Sequence, residues 1–238
     1  MATTKPTVLF VRGSWHCPQH FDRVRSVFEA ADYPTEYPTQ VSTGVKTSDN
    51  DAWLSSDAKV VKETASKLVV MHSYGGVIGS EAIHEGLGKK AREAKGEKSG
   101  VTDLVYLSAF VLPEDQSLAS TLGPQLPPHI TLKTCWMEGP EERFFNDLFD
   151  ADKKRYIRLL APVLTKTQFT QTTYSAYKYF PSTYLYSTND QALPLQVQQM
   201  MVQMNGNGAF KTVECRAGHS PYLSQPATVL KVVEGLKA

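Results

Sequence analysis

The stretch Val69-Val70-Met71-His72-Ser73-Tyr74-Gly75-Gly76 decides the fold that we expect for this chain. Its apolar beginning is typical of a buried strand, and its closing glycines suit the first turn of a helix. A serine on so sharp a strand-to-helix turn has strained backbone angles and needs small neighbours, such as Gly75. The usual pattern also has glycine two residues before the serine, where this chain has Met71. The segment predicts Ser73 as a nucleophile.

Two backbone amides near Ser73 are predicted to stabilise a negatively charged oxygen. The N–H group of Tyr74, at the start of the helix, points toward the place where an oxyanion would form. The second N–H group is expected from Ser14, in the loop Arg12-Gly13-Ser14-Trp15-His16 after the first strand. Gly13 lets the backbone approach a substrate there, although glycine is also typical of an ordinary turn.

A nucleophilic serine needs a base, which is sought among the histidines. They are His16, His20, His72, His84, His129 and His219. When a serine lies on such a turn, the acid and then the histidine follow it along the chain, in loops after late strands. Beyond the helix that follows Ser73, the candidates are His129 and His219. His219 directly follows a predicted strand and is therefore the predicted base, although a histidine in a Gly-His-Ser-Pro loop can also be structural.

Asp190 is the candidate for the acid that orients this base. It follows a predicted strand over 182–187 and precedes His219 by 29 residues, which is enough for one helix and one strand. The two loops would then be neighbours at one edge of the sheet. Asp190 would hold the tautomer of His219 and stabilise the imidazolium that forms when Ser73 gives up its proton. The Asn-Asp pair also suits a plain turn.

Short apolar runs alternate with helical stretches over much of the chain. The predicted strands are 8–11, 68–71, 103–107, 182–187 and 210–215. This alternation predicts an α/β protein with a mostly parallel sheet flanked by helices. Residues 113–179 interrupt the rhythm with aromatic residues, prolines and predicted helices at 141–149 and 152–160. We therefore predict a core formed by 1–112 and 180–238, with 113–179 inserted as a small helical cap over a pocket.

Several side chains are candidates for contact with a substrate because they flank the site or belong to the predicted cap. They are Trp15, His16, His72, Trp136, Phe144 and Phe145, with Phe149 and Tyr156 as further cap aromatics. Their aromatic character indicates a largely apolar ligand. Core packing is the alternative for each cap aromatic, and hydrogen bonding behind the site is the alternative for the two histidines.

Composition limits the class of protein. The 238 residues suit one domain, and a net charge of +1 gives no support for binding nucleic acid or an anionic membrane. Cys17, Cys135 and Cys215 are too few and too scattered for a disulfide framework or a zinc site. No glycine loop matches a phosphate or dinucleotide fingerprint. We therefore expect no metal, no cofactor and a small molecule as the partner.

The N-terminal sequence bears on location. Its apolar run, residues 7–11, is too short for the core of a signal peptide or for a membrane span. Sparse, scattered cysteines are typical of reduced thiols. Both observations predict a cytoplasmic protein. The oligomeric state is open, with a homodimer among the expected assemblies.

At these residues the sequence resembles the α/β-hydrolase superfamily, and within it the branch of plant methylesterases, hydroxynitrile lyases and their fungal and bacterial relatives. The matching pieces are Val11-Arg-Gly-Ser-Trp-His16, Met71-His-Ser-Tyr-Gly-Gly76, Leu104-Val-Tyr-Leu-Ser-Ala-Phe110, Pro181-Ser-Thr-Tyr-Leu185, Asn189-Asp-Gln-Ala-Leu-Pro194 and Ala217-Gly-His-Ser-Pro221. The resemblance implies an α/β-hydrolase fold, a Ser–Asp–His triad, a helical cap after the strand at 103–107, and activity on small esters or related carbonyl compounds.

The chain departs from this branch in three places. Relatives have His-Gly after the first strand, whereas this chain has Arg12-Gly13. This departure leaves open which charge lies beside the predicted anion site. The helix between Asp57 and the strand at Leu68 looks shorter than is usual. Hydroxynitrile lyases of the branch carry lysine directly after the catalytic histidine, where this chain has Ser220, so the resemblance does not extend to cyanohydrin cleavage.

Three hypotheses for the function remain open on the sequence. The first is hydrolysis of a carboxylic ester or lactone of a small, largely apolar molecule through an acyl-enzyme on Ser73. The second is a lyase or cyclase acting on a natural-product intermediate, with His219 as general base and Ser73 only orienting the substrate. The third is a ligand-binding receptor with little turnover, because fold does not fix function.

Overall fold

A six-stranded parallel sheet runs through the part of the chain that the structure describes. This structure is a computed structural model, and it describes residues 5–44, 53–64, 68–122, 134–206 and 208–236. In spatial order the strands are β2 (Thr35–Glu36), β1 (Val8–Val11), β3 (Leu68–His72), β4 (Asp103–Leu107), β7 (Ser182–Ser187) and β8 (Phe210–Cys215). Every neighbouring pair in this sheet is parallel, which confirms the predicted α/β architecture.

Helices cover both faces of the sheet. On one face lie α2 (Trp53–Thr64), α3 (Gly75–Ala82) and α8 (Leu195–Gly206), and on the other α1 (Asp22–Ala30) and α10 (Pro226–Glu234). Side chains alternate along each buried strand, so Val69 and Met71 of β3 pack in the first layer and Leu68 and Val70 in the second. Within the described residues, no helix has the length and the apolar composition that a membrane span requires.

The register of the central strands brings their carboxyl ends to one edge. Met71 of β3 pairs with Val11 of β1 on one side and with Tyr106 of β4 on the other. Ser187 and Cys215, the last residues of β7 and β8, pair with each other. Because all these strands run in the same direction, the loops that follow them leave from the same edge, where the predicted site residues lie.

The chain between β4 and β7 is built from short elements. They are α5 (Leu118–Leu122), β5 (Thr134–Cys135), α6 (Pro140–Arg143), α7 (Asp150–Ile157), β6 (Val163–Leu164) and 3-10 helices at Thr165–Gln168 and Ala176–Lys178. The predicted helix at 141–149 is wrong beyond Arg143, because residues 144–147 form turns, Leu148 lies in a bend and Phe149 is extended. The antiparallel pairing of β5 with β6 was not predicted. The boundaries of a cap at 113 and 179 stay a prediction.

Helix α2 also differs from its prediction. It begins at Trp53 rather than beside Asp57 and has 12 residues. Asp57 was expected near the helix start because aspartate commonly caps helices. Its carboxylate instead accepts hydrogen bonds from the N–H and hydroxyl groups of Ser42, in the loop before α2. The remaining short elements are α4 (Lys89–Glu93), α9 (Pro221–Ser224) and 3-10 helices at Pro18–Phe21 and Glu85–Leu87.

Candidate active site

Ser73 occupies a strained turn between β3 and α3. Its φ angle is +54°, in the left-handed region that residues with a side chain rarely adopt. A side chain at Gly75 would overlap the carbonyl oxygen of Val11, and one at Gly76 would overlap that of Phe110. The two glycines therefore let α3 begin directly against the neighbouring loops. This close packing holds Ser73, which is 7% exposed, at the carboxyl edge of the sheet.

Met71 replaces the first glycine of the usual serine pattern without disturbing this turn. Its side chain points into the core and lies against Gly79 in the next helix. A side chain at Gly79 would overlap the sulfur of Met71 and lie 2.8 Å from its Cγ atom. The large side chain of Met71 therefore fits because Gly79, eight residues later, has no side chain. The sequence analysis did not predict this pairing.

The loop after β1 lies directly against the turn that carries Ser73. A Cβ atom at Gly13 would be 2.7 Å from the Cβ atom of Ser73 and 3.1 Å from Nδ1 of His72. Glycine at position 13 is thus required by close approach and not merely by a turn. Ser14 and Tyr74 are both buried beside this contact. The role of their N–H groups as oxyanion donors stays a prediction.

Trp15 fastens the same loop to the segment between β4 and β7. Its φ angle is +65°, another left-handed value. Its indole N–H donates to the carbonyl of Cys135 at 2.9 Å, and its own carbonyl accepts from the N–H of Ala161 at 2.9 Å. These bonds hold the strained backbone in place, so the position of the predicted anion site depends on residues more than 100 positions away.

Arg12, which stands where relatives have histidine, is buried and links two loops by hydrogen bonds. Its guanidinium donates to the carbonyls of His16 at 2.6 Å and Gln40 at 2.7 Å, and to the hydroxyl of Thr43 at 2.8 Å. Burial lowers its pKa to about 10, and the nearby carboxylate of Asp57 opposes that shift. The charge therefore ties the loop after β1 to the loop at 40–43.

Asp190 and His219 form a buried pair. The Nδ1–H group of His219 donates to Oδ2 of Asp190 at 2.8 Å, and the residues are 2% and 4% exposed. The other carboxylate oxygen accepts the N–H groups of Ala192 and Leu193, each at 2.8 Å. These bonds fix the carboxylate and leave Nε2 of the imidazole as the atom that can take a proton from a serine. His129, the other candidate base, lies outside the described residues.

Gln198 supports this pair and was missed in the sequence. Its side-chain amide donates to the carbonyl of Leu193 at 2.7 Å and that of Ser187 at 3.1 Å, and contacts Oδ2 of Asp190 at 3.4 Å. Its Oε1 atom accepts the N–H of Ser187 at 3.2 Å. Gln198 is fully buried on α8, and its hydrogen bonds hold the loop that carries Asp190. Its place one turn into a helix gave no sequence signal.

His72 lies next to His219, and His16 lies next to His72. The Nε2–H group of His72 donates to the carbonyl of His219 at 2.8 Å, and their ring centroids are 4.7 Å apart. Nδ1 of His16 donates to the carbonyl of Ser14 at 2.7 Å. Burial, above all, holds the pKa of both residues well below the ordinary value, so both are uncharged. They connect the loops of the site, and their contact with substrate stays a prediction.

The predicted cap aromatics fall into different environments. Phe144 stacks on the ring of His219 with centroids 5.3 Å apart, and lies 5.7 Å from the ring of Trp15. Phe145 is fully buried and stacks on His20 at 6.1 Å. Trp136 is 51% exposed. Phe144 is therefore the aromatic residue of this group that lies beside the predicted base, His219. A substrate contact for each of the three stays a prediction.

Comparisons with known proteins bear on the family of the chain. Residues 8–232 match the model of the alpha/beta hydrolase family. Alpha/beta hydrolase nvfD of Aspergillus novofumigatus is 30% identical over 249 residues, which cover 96% of this chain and 95% of the relative.

Solved structures share the fold at lower identity. Polyneuridine aldehyde esterase superposes with a TM-score of 0.72 at 18% identity, covering 97% of this chain and 98% of its own. The methylesterase MES16 from Arabidopsis gives 0.69 at 18% identity, covering 97% and 99%. The resemblance that the sequence motifs indicated is thereby confirmed: the chain belongs to the alpha/beta hydrolase family.

Proposed function

We propose that the protein is a serine hydrolase that cleaves a carboxylic ester or lactone of a small, largely apolar molecule. The observation that carries this proposal is the buried Asp190–His219 pair, whose base loop is bonded through the carbonyl of His219 to His72, the residue before the strained Ser73. An imidazole whose Nδ1–H is fixed by a carboxylate presents Nε2 as a base, and a serine held on a sharp turn is the nucleophile that such a base activates.

The reaction would proceed in two halves. His219 takes the proton of the Ser73 hydroxyl while the oxygen attacks the substrate carbonyl, and the N–H groups of Ser14 and Tyr74 hold the oxyanion. The carbon–oxygen bond to the alcohol then breaks, and His219 returns the proton to the departing alkoxide. Water, deprotonated by His219, attacks the acyl-enzyme. The bond between the acyl carbon and the Ser73 oxygen breaks, His219 returns its proton to that oxygen, and the carboxylic acid leaves.

The surroundings of the base favour an apolar ester. Phe144 covers one face of the His219 ring, and Trp15 adjoins Phe144. His16 and His72 are uncharged, so they add no positive charge that would attract an anionic substrate. The names of the solved neighbours, polyneuridine aldehyde esterase and a methylesterase, describe ester chemistry for those proteins and fit the same class here.

The test replaces the nucleophile. Ser73→Ala is expected to lower turnover of p-nitrophenyl esters by about 10³-fold or more while the protein stays folded. The matched control is Ser26→Ala, which removes an exposed hydroxyl bonded to the carbonyl of Asp22 on α1. The control should keep full activity. Hydrolysis at the wild-type rate by the Ser73 variant would refute the proposal.

Trapping experiments address the two alternatives. A fluorophosphonate should label Ser73. Rapid acid quenching during turnover of an ester that the enzyme hydrolyses should yield an acyl adduct at the same residue. Product formation without any acyl adduct would favour the lyase or cyclase, in which His219 acts as base and Ser73 only orients the substrate. Tight ligand binding without product would favour a receptor.

A further inference from the structure

One stretch of the insertion, Phe144-Phe145-Asn146-Asp147, touches both loops that carry the acid and the base; it is called the 144–147 segment below. We propose that Asn146 and Asp147 are positioning residues, which hold these two loops, and with them the Asp190–His219 pair, in the reactive arrangement. The inference rests on the function proposed above for the same site.

Asp147 fixes the backbone next to the base. The N–H group of Gly218 donates to Oδ2 of Asp147 at 2.6 Å. A carboxylate acceptor makes this a strong, charge-assisted hydrogen bond. On the other flank, the carbonyl of His219 accepts from His72 at 2.8 Å. The imidazole of His219 therefore projects from a backbone that is held on both sides, once by the segment and once by the residue before Ser73.

Asn146 holds the loop that carries the acid. Its amide N–H donates to the carbonyl of Asn189, directly before Asp190, at 2.9 Å. The N–H of Asn189 in turn donates to the carbonyl of Ala217 at 3.0 Å, which joins the acid loop to the base loop. Neighbouring residues of one segment thus bond to both loops. A shift of the segment would change the distance between the acid and the base.

The glycine before the base reflects the same close approach. A side chain at Gly218 would overlap Oδ1 of Asn146 and lie 2.8 Å from Oδ1 of Asp147. Its φ angle lies outside the left-handed region, so backbone conformation does not require glycine here. The lack of a side chain at Gly218 instead makes room for Asn146 and Asp147 of the 144–147 segment. Phe144 completes the contact by stacking on the ring of His219 at an interplanar angle of 25°.

Asp147 allows the positioning role to be separated from a folding role. The residue is exposed, and its bond to Gly218 lies at the rim of the site. Removal of this side chain leaves the buried N–H of Gly218 without its acceptor, but it opens no cavity in the core, so the protein should stay folded. A displacement of about 1 Å at a catalytic group can nevertheless cost about 10²-fold in rate. The role we propose therefore predicts a loss of rate without a loss of folding.

The experiment compares Asp147→Ala with Asp147→Asn in the full-length enzyme. Asp147→Ala is expected to lower kcat about 10- to 100-fold with little change in KM. Asp147→Asn retains an oxygen that can accept the Gly218 N–H and should stay within about threefold of wild type. Glu141→Ala, which removes an equal charge from an exposed site in α6, is the control and should leave kcat unchanged.

Proton NMR provides a readout that does not depend on turnover. The hydrogen-bonded Nδ1–H proton of His219 should give a far-downfield signal in the wild type and in Asp147→Asn, and should broaden or vanish in Asp147→Ala. A wild-type kcat and an unchanged signal in Asp147→Ala would overturn the positioning role. So would equal losses of activity and melting temperature in both variants. If the wild type hydrolyses no ester, the proposed function fails, and the NMR comparison still decides this inference.

Discussion

The nucleophile side and the acid–base side of the candidate site are held in different ways. On the nucleophile side, α3 packs against the carbonyls of Val11 and Phe110, and glycines at 75 and 76 make room for it. On the acid–base side, Asp190 and His219 lie in loops that are braced by side-chain hydrogen bonds. Backbone packing fixes the serine, whereas a network of side chains fixes the pair.

This difference determines what a substitution should do. Added bulk on the nucleophile side must displace backbone, which is costly for the whole fold. Loss of a bond on the acid–base side leaves the chain folded but changes the geometry of the reacting groups. Bulk added beside Ser73 should therefore lower mainly the stability, whereas loss of a bond on the acid–base side should lower mainly the rate.

Asp190→Asn should give the largest effect and tests the acid–base side. The amide can donate to Nδ1 of His219, which places the imidazole proton on Nε2, where the base must be free. We expect kcat to fall about 10⁴-fold while the melting temperature changes little. The control is Asp115→Asn, an exposed aspartate whose left-handed φ angle of +62° asparagine also tolerates. A loss of less than tenfold in Asp190→Asn would contradict the assignment of the acid.

Acid should destabilise the protein through three buried histidines, His16, His20 and His72. Burial depresses the pKa of His16 and His72 well below 6.5 and that of His20 to about 4. As pH falls below about 6.5, the unfolded chain takes up protons that the folded chain excludes, so stability declines. Each histidine should contribute about 1.4 kcal/mol per pH unit to that decline, which ends once pH passes the folded-state pKa.

Chemical denaturation between pH 8 and pH 4.5 measures this decline. His72→Gln should reduce the slope of unfolding free energy against pH by the contribution of one histidine. His84→Gln, at an exposed position, is the control and should leave the slope unchanged. A stability that is flat over this range would show that the three histidines do not resist protonation in the folded protein.

The smallest effect concerns the packing of Met71 against Gly79 on the nucleophile side. Gly79→Ala should destabilise the protein by about 1–3 kcal/mol, because the new methyl group meets the sulfur of Met71. The double variant Gly79→Ala with Met71→Ala should lose about 1 kcal/mol less unfolding free energy than the sum of the losses in the two single variants. Gly86→Ala, which faces open space, is the control. If the losses of unfolding free energy in the single variants add up exactly to the loss in the double variant, Met71 and Gly79 do not interact.

The fold and the nucleophile side were largely predictable from sequence because their signals are local. Apolar runs and glycines within a few residues of Ser73 specify a strand, a sharp turn and a helix. The order of Asp190 and His219 after late strands located the second pair of loops. Their catalytic roles, and those of Ser14 and Tyr74, stay predictions that the experiments above address.

The supports of the acid–base side were not predictable for the opposite reason. Gln198, Asn146 and Asp147 act through bonds to residues distant in sequence, and polar residues of these types are common on any surface. The helix predicted at 141–149 hid the turn in which Asn146 and Asp147 lie. Periodicity indicates which residues face a core, but it does not indicate which loops meet across the molecule.

Trp15 has a consequence for any attempt to redesign the substrate range. Both its indole and its carbonyl are bonded to residues of the segment between β4 and β7, and its backbone is strained. An exchange of this segment for that of a relative would remove both bonds and let the loop relax toward ordinary backbone angles. Grafted segments should therefore carry Cys135 and Ala161, or equivalents that offer the same carbonyl and N–H, if the chimaera is to keep its rate.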